Sequence, residues 1–470
     1  PAPGAQAPLR SAACLAAAAA VTAVRRRRAA WGAGRWRGAR STRSTVELAA
    51  APPRVAVIGA GPAGLATALA LRKETGLEDV TVFERAPELR PNIGGGVQLH
   101  AGASLLEGLG VQLRSWRGSL RRIRSRSVDG SPLLSLDLQE LVDTFGPFTG
   151  SLKLEPDGEL ACCTVMRDAL LQAMAAELPE GSIRLGQPLK EVRPLTDGQG
   201  VECDFGAGPP ERFDLVVATD GINSVARRVV TGDAEDVPPR YTGLRIQYGV
   251  RLAGGRPAGC EEEAHQWFGE GVYALTATYG GLGGEKYEMI AVVFRDERPT
   301  TENADWDPAE VKDACLERLR AAKHGSEVLS VAEGCERFFE LGVYERPVGL
   351  GRWHRGGLVL AGDSAHAMPP FLGQGANQAV QDAVCLARWL RLVDFASGDA
   401  RGFALDAALS GYTLQRLLPT AVLSLESSFL GQVETLPGQL GSLVRDNFFR
   451  LTNQTGVAGL VFLNGALSRT

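Results

Sequence analysis

From about residue 52 onward, short apolar runs alternate with longer segments of helical periodicity. Arg54–Ile58 is an apolar run, a Gly-rich turn follows, Ala63–Arg72 is rich in Ala and Leu, and Val80–Phe83 is apolar again. This order predicts strand, turn, helix and strand, the opening of a doubly wound sheet. Val165–Leu178 has apolar residues at helical spacing, and Asp214–Ala218 and Gly357–Ala361 read as further buried strands. Pro308–Ala322 and Asn377–Leu392 read as helices. Between Tyr241 and Arg295 the pattern alternates and carries aromatic residues, over Leu244–Leu252, Val272–Thr278 and Tyr287–Phe294. That predicts a second sheet, partly exposed on one face. After Gly402 the chain is mostly helical and apolar. The fold class expected is α/β: a doubly wound, Rossmann-like dinucleotide-binding domain interleaved with a mixed-sheet substrate domain, and a helical C-terminus.

Composition adds limits. A chain of 470 residues suits two to three domains, and 44% hydrophobic with 22% charged residues is the balance of a globular protein. The first 50 residues stand apart. No Asp or Glu precedes Glu47, and the charge is carried by Arg10, Arg25–Arg28, Arg35, Arg37, Arg40 and Arg43 among Ala, Ser and Thr. Such a leader reads as a transit peptide, which suggests a plastid, with the mitochondrion as the alternative. With a formal net charge of −4, nothing in the balance argues for nucleic acid. The eight cysteines form no C-x-x-C pair, so no metal site is expected and the thiols are read as reduced and buried.

Two motifs carry chemistry. Gly59-Ala60-Gly61-Pro62-Ala63-Gly64 is a G-x-G-x-x-G turn between the first strand and its helix. Gly59 permits the turn, Gly61 lets main chain approach a pyrophosphate, and Gly64 lets helix and strand pack closely. The helix start faces the phosphates with unpaired N–H groups. Glu84, beside Arg85, ends the second strand 20 residues after Gly64. A carboxylate there accepts ribose hydroxyls and repels a 2′-phosphate, so this site takes FAD or NAD rather than NADP. The second motif is Gly362-Asp363-Ser364-Ala365-His366, then Pro369-Pro370 and Gly373-Gln374-Gly375-Ala376-Asn377. Asp363 suits ribityl hydroxyls, and the helix starting near Gly375 faces a group that becomes anionic, as reduced flavin does. This second site selects flavin. His366 beside it reads mainly as part of that loop and is the one catalytic candidate. Alone, Asp220-Gly221 is a turn and Arg167 a surface cation.

Together, in this order, the four pieces resemble the FAD-dependent aromatic-ring hydroxylases, the class A flavoprotein monooxygenases typified by p-hydroxybenzoate hydroxylase and including zeaxanthin epoxidase. The resemblance runs from about Arg54 to about Arg391. It implies a FAD-binding domain over 51–120, 160–235 and 336–400, a substrate domain over 121–159 and 236–335, and a helical region over 401–470. It implies that Arg167 reaches the FAD ribityl and pyrophosphate region, and that Asp220 and Gly221 form the D-G motif tied to FAD and NAD(P)H. Gly94-Gly95-Gly96-Val97-Gln98-Leu99 resembles the glycine segment beside the flavin ring, with Gly96 and Val97 as contacts. Thr219 and Ser364 stand where the family often has Ala. The implied reaction uses NADH or NADPH to reduce FAD and O₂ to form a C4a-hydroperoxide, which hydroxylates or epoxidises a small hydrophobic or aromatic substrate. A flavin reductase of the same superfamily, or a FAD-binding assembly subunit without turnover, are the alternatives.

The substrate is not written in the motifs. Gln247, Tyr248, Gln266, Trp267, Phe268 and Tyr273 of the inserted sheet are candidate lining. The apolar stretch Asn447–Leu467 reads either as a helix over the core or as a peripheral membrane contact. The sequence does not address oligomeric state.

Overall fold

In the computed structural model, residues 52–470 are described apart from 90–94, 155, 196–199, 233–236, 255–260, 300–306, 348–350 and 396–397. The expected leader over 1–50 lies outside the described residues, as do Gly94, Cys14 and Cys260. Val55–Ile58 forms β1, with all four side chains buried. It is followed by helix α1, Pro62–Ala70, and by β2, Val80–Phe83. Leu215–Ala218 (β3) and Leu358–Leu360 (β4) complete the centre of a six-stranded sheet, in the order β2–β1–β3–β4 with short strands Ile183–Arg184 and His354–Arg355 at its edges. β1 pairs in parallel with β2 and β3, and β3 with β4. Strands this short and apolar on both faces need cover on each side. Helix α2, Gly375–Leu390, packs on α1 in the same core.

The second sheet has ten strands. Arg240–Leu252, Glu263–Phe268, Val272–Gly280, Lys286–Arg295 and Arg337–Glu345 form its antiparallel body, and the hairpin Arg122–Ser127/Pro132–Asp137 joins in parallel through Glu263–Phe268. Two expectations are corrected. The sheet is not open on one face: Val272, Ala274, Ile290, Val292 and Phe294 pack on helices Pro308–Ala321 and Ser326–Gly334. Tyr273, Ala291 and Val293, one step out of phase, face the other way towards Phe371 and Phe449. The partition at 335/336 also fails. Arg337–Glu345 is an edge strand of this sheet, and Gly96–Leu99, Gly118–Ser119 and Cys163–Met166 hang from it rather than from the nucleotide sheet. Apolar strands give no sequence sign of which sheet they join.

Three helices close the chain: α3 (Gly398–Glu434), α4 (Gly438–Gln454) and α5 (Val457–Ala466). α3 docks through Arg416, which is fully buried. Its guanidinium donates to Asp382 Oδ1 at 2.7 Å and to Gln378 Oε1 at 2.6 Å. Asp382 Oδ2 meets His366 Nε2 at 2.6 Å and accepts from Gly362 N at 2.8 Å. Burial alone would push the Asp382 carboxyl up, but the charges of His366 and Arg416 hold it at about 2. No described helix is long and apolar enough to cross a membrane. The six described cysteines are free and buried.

Candidate active site

The carboxyl ends of the four central strands open on one polar cavity of about 680 Å³. Gly59, Gly61, Pro62, Ala63, Glu84, Arg85, Val97, Arg167, Asp220, Gly221, Asp363, Gly375 and Ala376 all border it. Crevices at strand carboxyl ends are where open α/β sheets bind ligands. The glycines divide the work. Gly59 has φ +97°, and a Cβ there would lie 2.7 Å from Thr219 O. A Cβ on Gly64 would lie 1.8 Å from Gly59 O, so Gly64 borders no cavity and serves the packing of α1 on β1. A Cβ on Gly61 or Gly375 would meet nothing within 4 Å, because both face the cavity at helix starts. Neither α1 nor α2 has a side-chain cap or an acidic residue in its first turn. Their first N–H groups are therefore left for an anion.

The charged groups fit the same ligand. Glu84 accepts from Ala60 N at 2.7 Å and Ala86 N at 2.9 Å, which fixes its carboxylate at the rim. Arg167 opens its helix just after Cys163–Met166, and its guanidinium donates to no described residue. Burial pulls its pKa down, and the charges of Asp363, Glu84 and Asp168 oppose this. Asp220 accepts from Val225 N through Oδ2, while the buried Oδ1 has no partner. Burial pushes the Asp220 and Asp363 carboxyls up. Asp363 lies deep in the fold, yet its side chain opens onto the cavity space. Two helix starts, one half-buried guanidinium with no acceptor among the described residues and one orphaned carboxylate oxygen match the pyrophosphate and hydroxyls of FAD. Thr219 and Ser364 fit without strain. Thr219 Oγ1 donates to Ile58 O at 2.7 Å and Ser364 Oγ to Ala218 O at 2.6 Å, tying strand ends together.

A second cavity of about 630 Å³ lies beneath the large sheet. Gly96, Pro370, Gly373 and Gln374 border it, and Val97, Asp363, Gly375 and Ala376 border both cavities. The wall is otherwise largely apolar, with Leu134, Leu275, Met289, Val293, Phe448 and Phe462 among its members. Asn377 borders neither cavity. Its amide donates to Gln98 O at 3.0 Å and accepts from His100 N at 2.8 Å, which pins the Gly96–Leu99 strand. His366 is corrected as a catalytic candidate. It borders neither cavity, is 1% exposed, and is held by Asp382 behind the Asp363 loop. Of the lining candidates, Tyr248, Gln266 and Tyr273 border the apolar cavity. Gln247 points the other way to Glu340 and Arg318, Trp267 packs on the helix-covered face, and Phe268 stacks on Phe449 behind the wall. Alternation in the strands would have separated Gln247 from Tyr248. The contributions of α3, α4 and α5, among them Phe429, Glu434, Phe448 and Phe462, had no such sign.

The model of the FAD binding domain family matches residues 53–417. The 3-amino-4-hydroxybenzoate 2-monooxygenase of Streptomyces cremeus is 31% identical over 408 residues, 85% of this chain and 92% of that protein. The 6-methylsalicylate 1-monooxygenase of Aspergillus terreus is 26% identical over 78% of this chain and 79% of its own length. Among solved structures, Klebsiella pneumoniae HpxO with FAD and uric acid superposes with a TM-score of 0.71 at 21% identity, covering 88% of this chain and 97% of that one. A salicylate hydroxylase substrate complex gives 0.64 at 20% identity, over 88% and 98%. At these identities the structural likenesses speak for the fold.

Proposed function

We propose that this chain, which belongs to the FAD-dependent aromatic-ring hydroxylases, uses NADH or NADPH and O₂ to insert one oxygen atom into a small hydrophobic or aromatic molecule held in the apolar cavity. The observation that carries this reading is the junction at Val97, Asp363, Gly375 and Ala376, where the dinucleotide cavity opens into the apolar one. Bound FAD supplies the electron transfer from the nicotinamide and the activation of O₂. The chain's own residues do the rest. The starts of α1 and α2 and Arg167 hold the anionic parts. The N–H groups opening α2 favour negative charge at the junction. The apolar wall keeps water from the reacting centre. The Arg416–Asp382–His366 network holds the loop that places Asp363. No proton-transfer residue is required of the wall.

The test is isotopic. Flavin-loaded protein is given NADH or NADPH, ¹⁸O₂ and a panel of phenols, anilines and larger aromatics. One labelled oxygen atom per product molecule is expected. Nucleotide oxidation that yields only peroxide with every member would favour the reductase reading.

Two further parts of the reading concern surroundings. The cavity wall includes Phe429 and Val457, which are 57% and 43% exposed, and α4 and α5 also expose Leu440, Leu443, Val444, Leu451 and Leu460. A peripheral membrane contact at this mouth would admit an apolar substrate. Liposome flotation tests it: Leu443→Gln with Val444→Gln should abolish binding, and a parent chain that stays wholly soluble would end the idea. For residues 1–50, the Arg-rich composition, with Glu47 as its one acidic residue, supports plastid targeting. A fluorescent fusion of that segment found in the mitochondrion or cytosol would overturn it.

A further inference from the structure

One carboxyl group in the wall of the apolar cavity has no partner. Glu434, the last residue of α3, borders the cavity and is fully buried, and neither of its carboxyl oxygens is hydrogen-bonded. Leaving such a group unpaired is strongly destabilising, so a carboxyl kept in this state calls for a reason. The one cation whose charge acts on it does not supply one. Arg445 gives its guanidinium to Gly269 O, Phe268 O and Asp446. Burial pushes the Glu434 carboxyl well above its usual range, against the pull of the Arg445 charge.

His100 repeats the pattern. Gln374 Nε2 and Asn377 Nδ2 both approach its Nδ1, at 3.3 and 3.2 Å. Both are donors, so Nδ1 accepts and the ring proton sits on Nε2, which has no partner. Burial lowers this ring to about 4, so it is neutral at physiological pH. No Arg or Lys is among the described residues bordering the cavity, and its two carboxyl side chains are Glu434 and Asp363. Apart from the N–H groups that open α2 at the junction, the described wall offers an anion no positive group, and it carries no cationic side chain.

We propose that the substrate is an apolar aromatic molecule carrying a hydrogen-bond donor, a phenolic hydroxyl or an amine, that Glu434 accepts, and that aromatic carboxylates are poor ligands. The inference rests on the proposed assignment of the apolar cavity to substrate. It sets this chain apart from the relatives named for benzoates and salicylates. A donor arriving with the ligand would complete the Glu434 carboxyl, and an analogue lacking it would leave that group unpaired.

The experiment titrates flavin-loaded protein with 4-propylphenol, 4-propylaniline, 4-propylanisole and 4-propylbenzoate and follows the flavin absorption spectrum. The phenol and aniline should bind about tenfold or more tighter than the anisole and the benzoate. In Glu434→Leu the phenol should weaken to the level of the anisole, whose own affinity stays put. Glu434→Gln, which keeps an acceptor, should retain part of the preference. Both variants should melt higher than the parent without ligand, because an unpaired carboxyl is gone; a residue with a merely structural role would melt lower. Benzoate binding as tight as phenol, an equal loss for phenol and anisole in Glu434→Leu, or no spectral response to any of the four would overturn the proposal. Failure of ¹⁸O incorporation with these preferences intact would instead remove the oxygen-insertion reading alone.

Discussion

The polar cavity is walled largely by main chain, by glycines at two helix starts and by Glu84, Arg167, Asp220 and Asp363. The apolar cavity is walled by side chains drawn from four sheet strands in phase, a distant hairpin, and three C-terminal helices. The first has nearly every polar group placed for one kind of ligand, because a pyrophosphate and its sugars present the same donors and acceptors in every dinucleotide. The second can be re-cut by exchanging one apolar residue for another without disturbing the fold. One chain thus keeps a cofactor site of fixed chemistry beside a substrate site of adjustable shape, and the two share Val97, Asp363, Gly375 and Ala376.

The contrast is broken most severely at the glycine loop. Gly64→Val would drive side-chain atoms into Gly59 O, and a loss of more than about 4 kcal/mol, enough to prevent folding, is expected. The Gly61→Val variant places its Cβ where no protein atom lies within 4 Å. It should fold with a stability change within about 1 kcal/mol, yet be purified without flavin. Flavin content and melting temperature measured together on the pair check this, and stoichiometric flavin in Gly61→Val would show that the loop does not hold phosphate. Next in size, Asp363→Ala should weaken FAD by about 2 kcal/mol or more, some thirtyfold in Kd, by removing an acceptor for flavin-side hydroxyls. Fluorescence titration of apoprotein with FAD reads it.

Changes confined to the apolar wall should leave FAD binding alone. Phe462→Ala enlarges the cavity and should shift ligand affinity by about tenfold, towards bulkier aromatics, with unchanged flavin content. Loss of flavin in that variant would mean the two cavities are not separable.

The smallest effect is a matter of pH. The folded-state pKa of His100 is depressed to about 4 from an ordinary 6.5, so between these values the unfolded chain binds more protons. Stability is then full above about pH 6.5 and lost as pH falls, by about 1 kcal/mol at pH 5.5 from this group. His324, also lowered to about 4 by burial, adds a slope of the same sign. Denaturant melts at pH 7.5 and 5.5 should show the loss, and His100→Gln should reduce it. An equal loss in that variant would place the titration elsewhere.

The same contrast explains what was legible in the sequence. β1, β2 and the start of α1 agree with the apolar pattern almost residue for residue, because buried parallel strands and a glycine turn leave few alternatives. The loop from Asp363 to Asn377 was also legible, since glycines and a helix start recur there for chemical reasons. His366 was read mainly as part of that loop, and its ring turns towards Asp382 there; only its secondary, catalytic reading fails, because proximity in sequence to Asp363 says nothing of side. The apolar wall stayed hidden. Whether Phe462 lines a cavity or fills a core depends on how α5 meets α2 and the Gly96–Leu99 strand, and apolar composition is the same in both cases. Glu434 gave no sign at all, because one Glu in a long helix is normally solvated.

A crystal structure of the purified chain with its bound FAD tests the central claim most directly. The account predicts the pyrophosphate at the starts of α1 and α2, and the flavin ring between Val97, Asp363 and Ala376 with one edge open to the apolar cavity. A dinucleotide bound outside the polar cavity, or a flavin ring walled off from the apolar one, would contradict it.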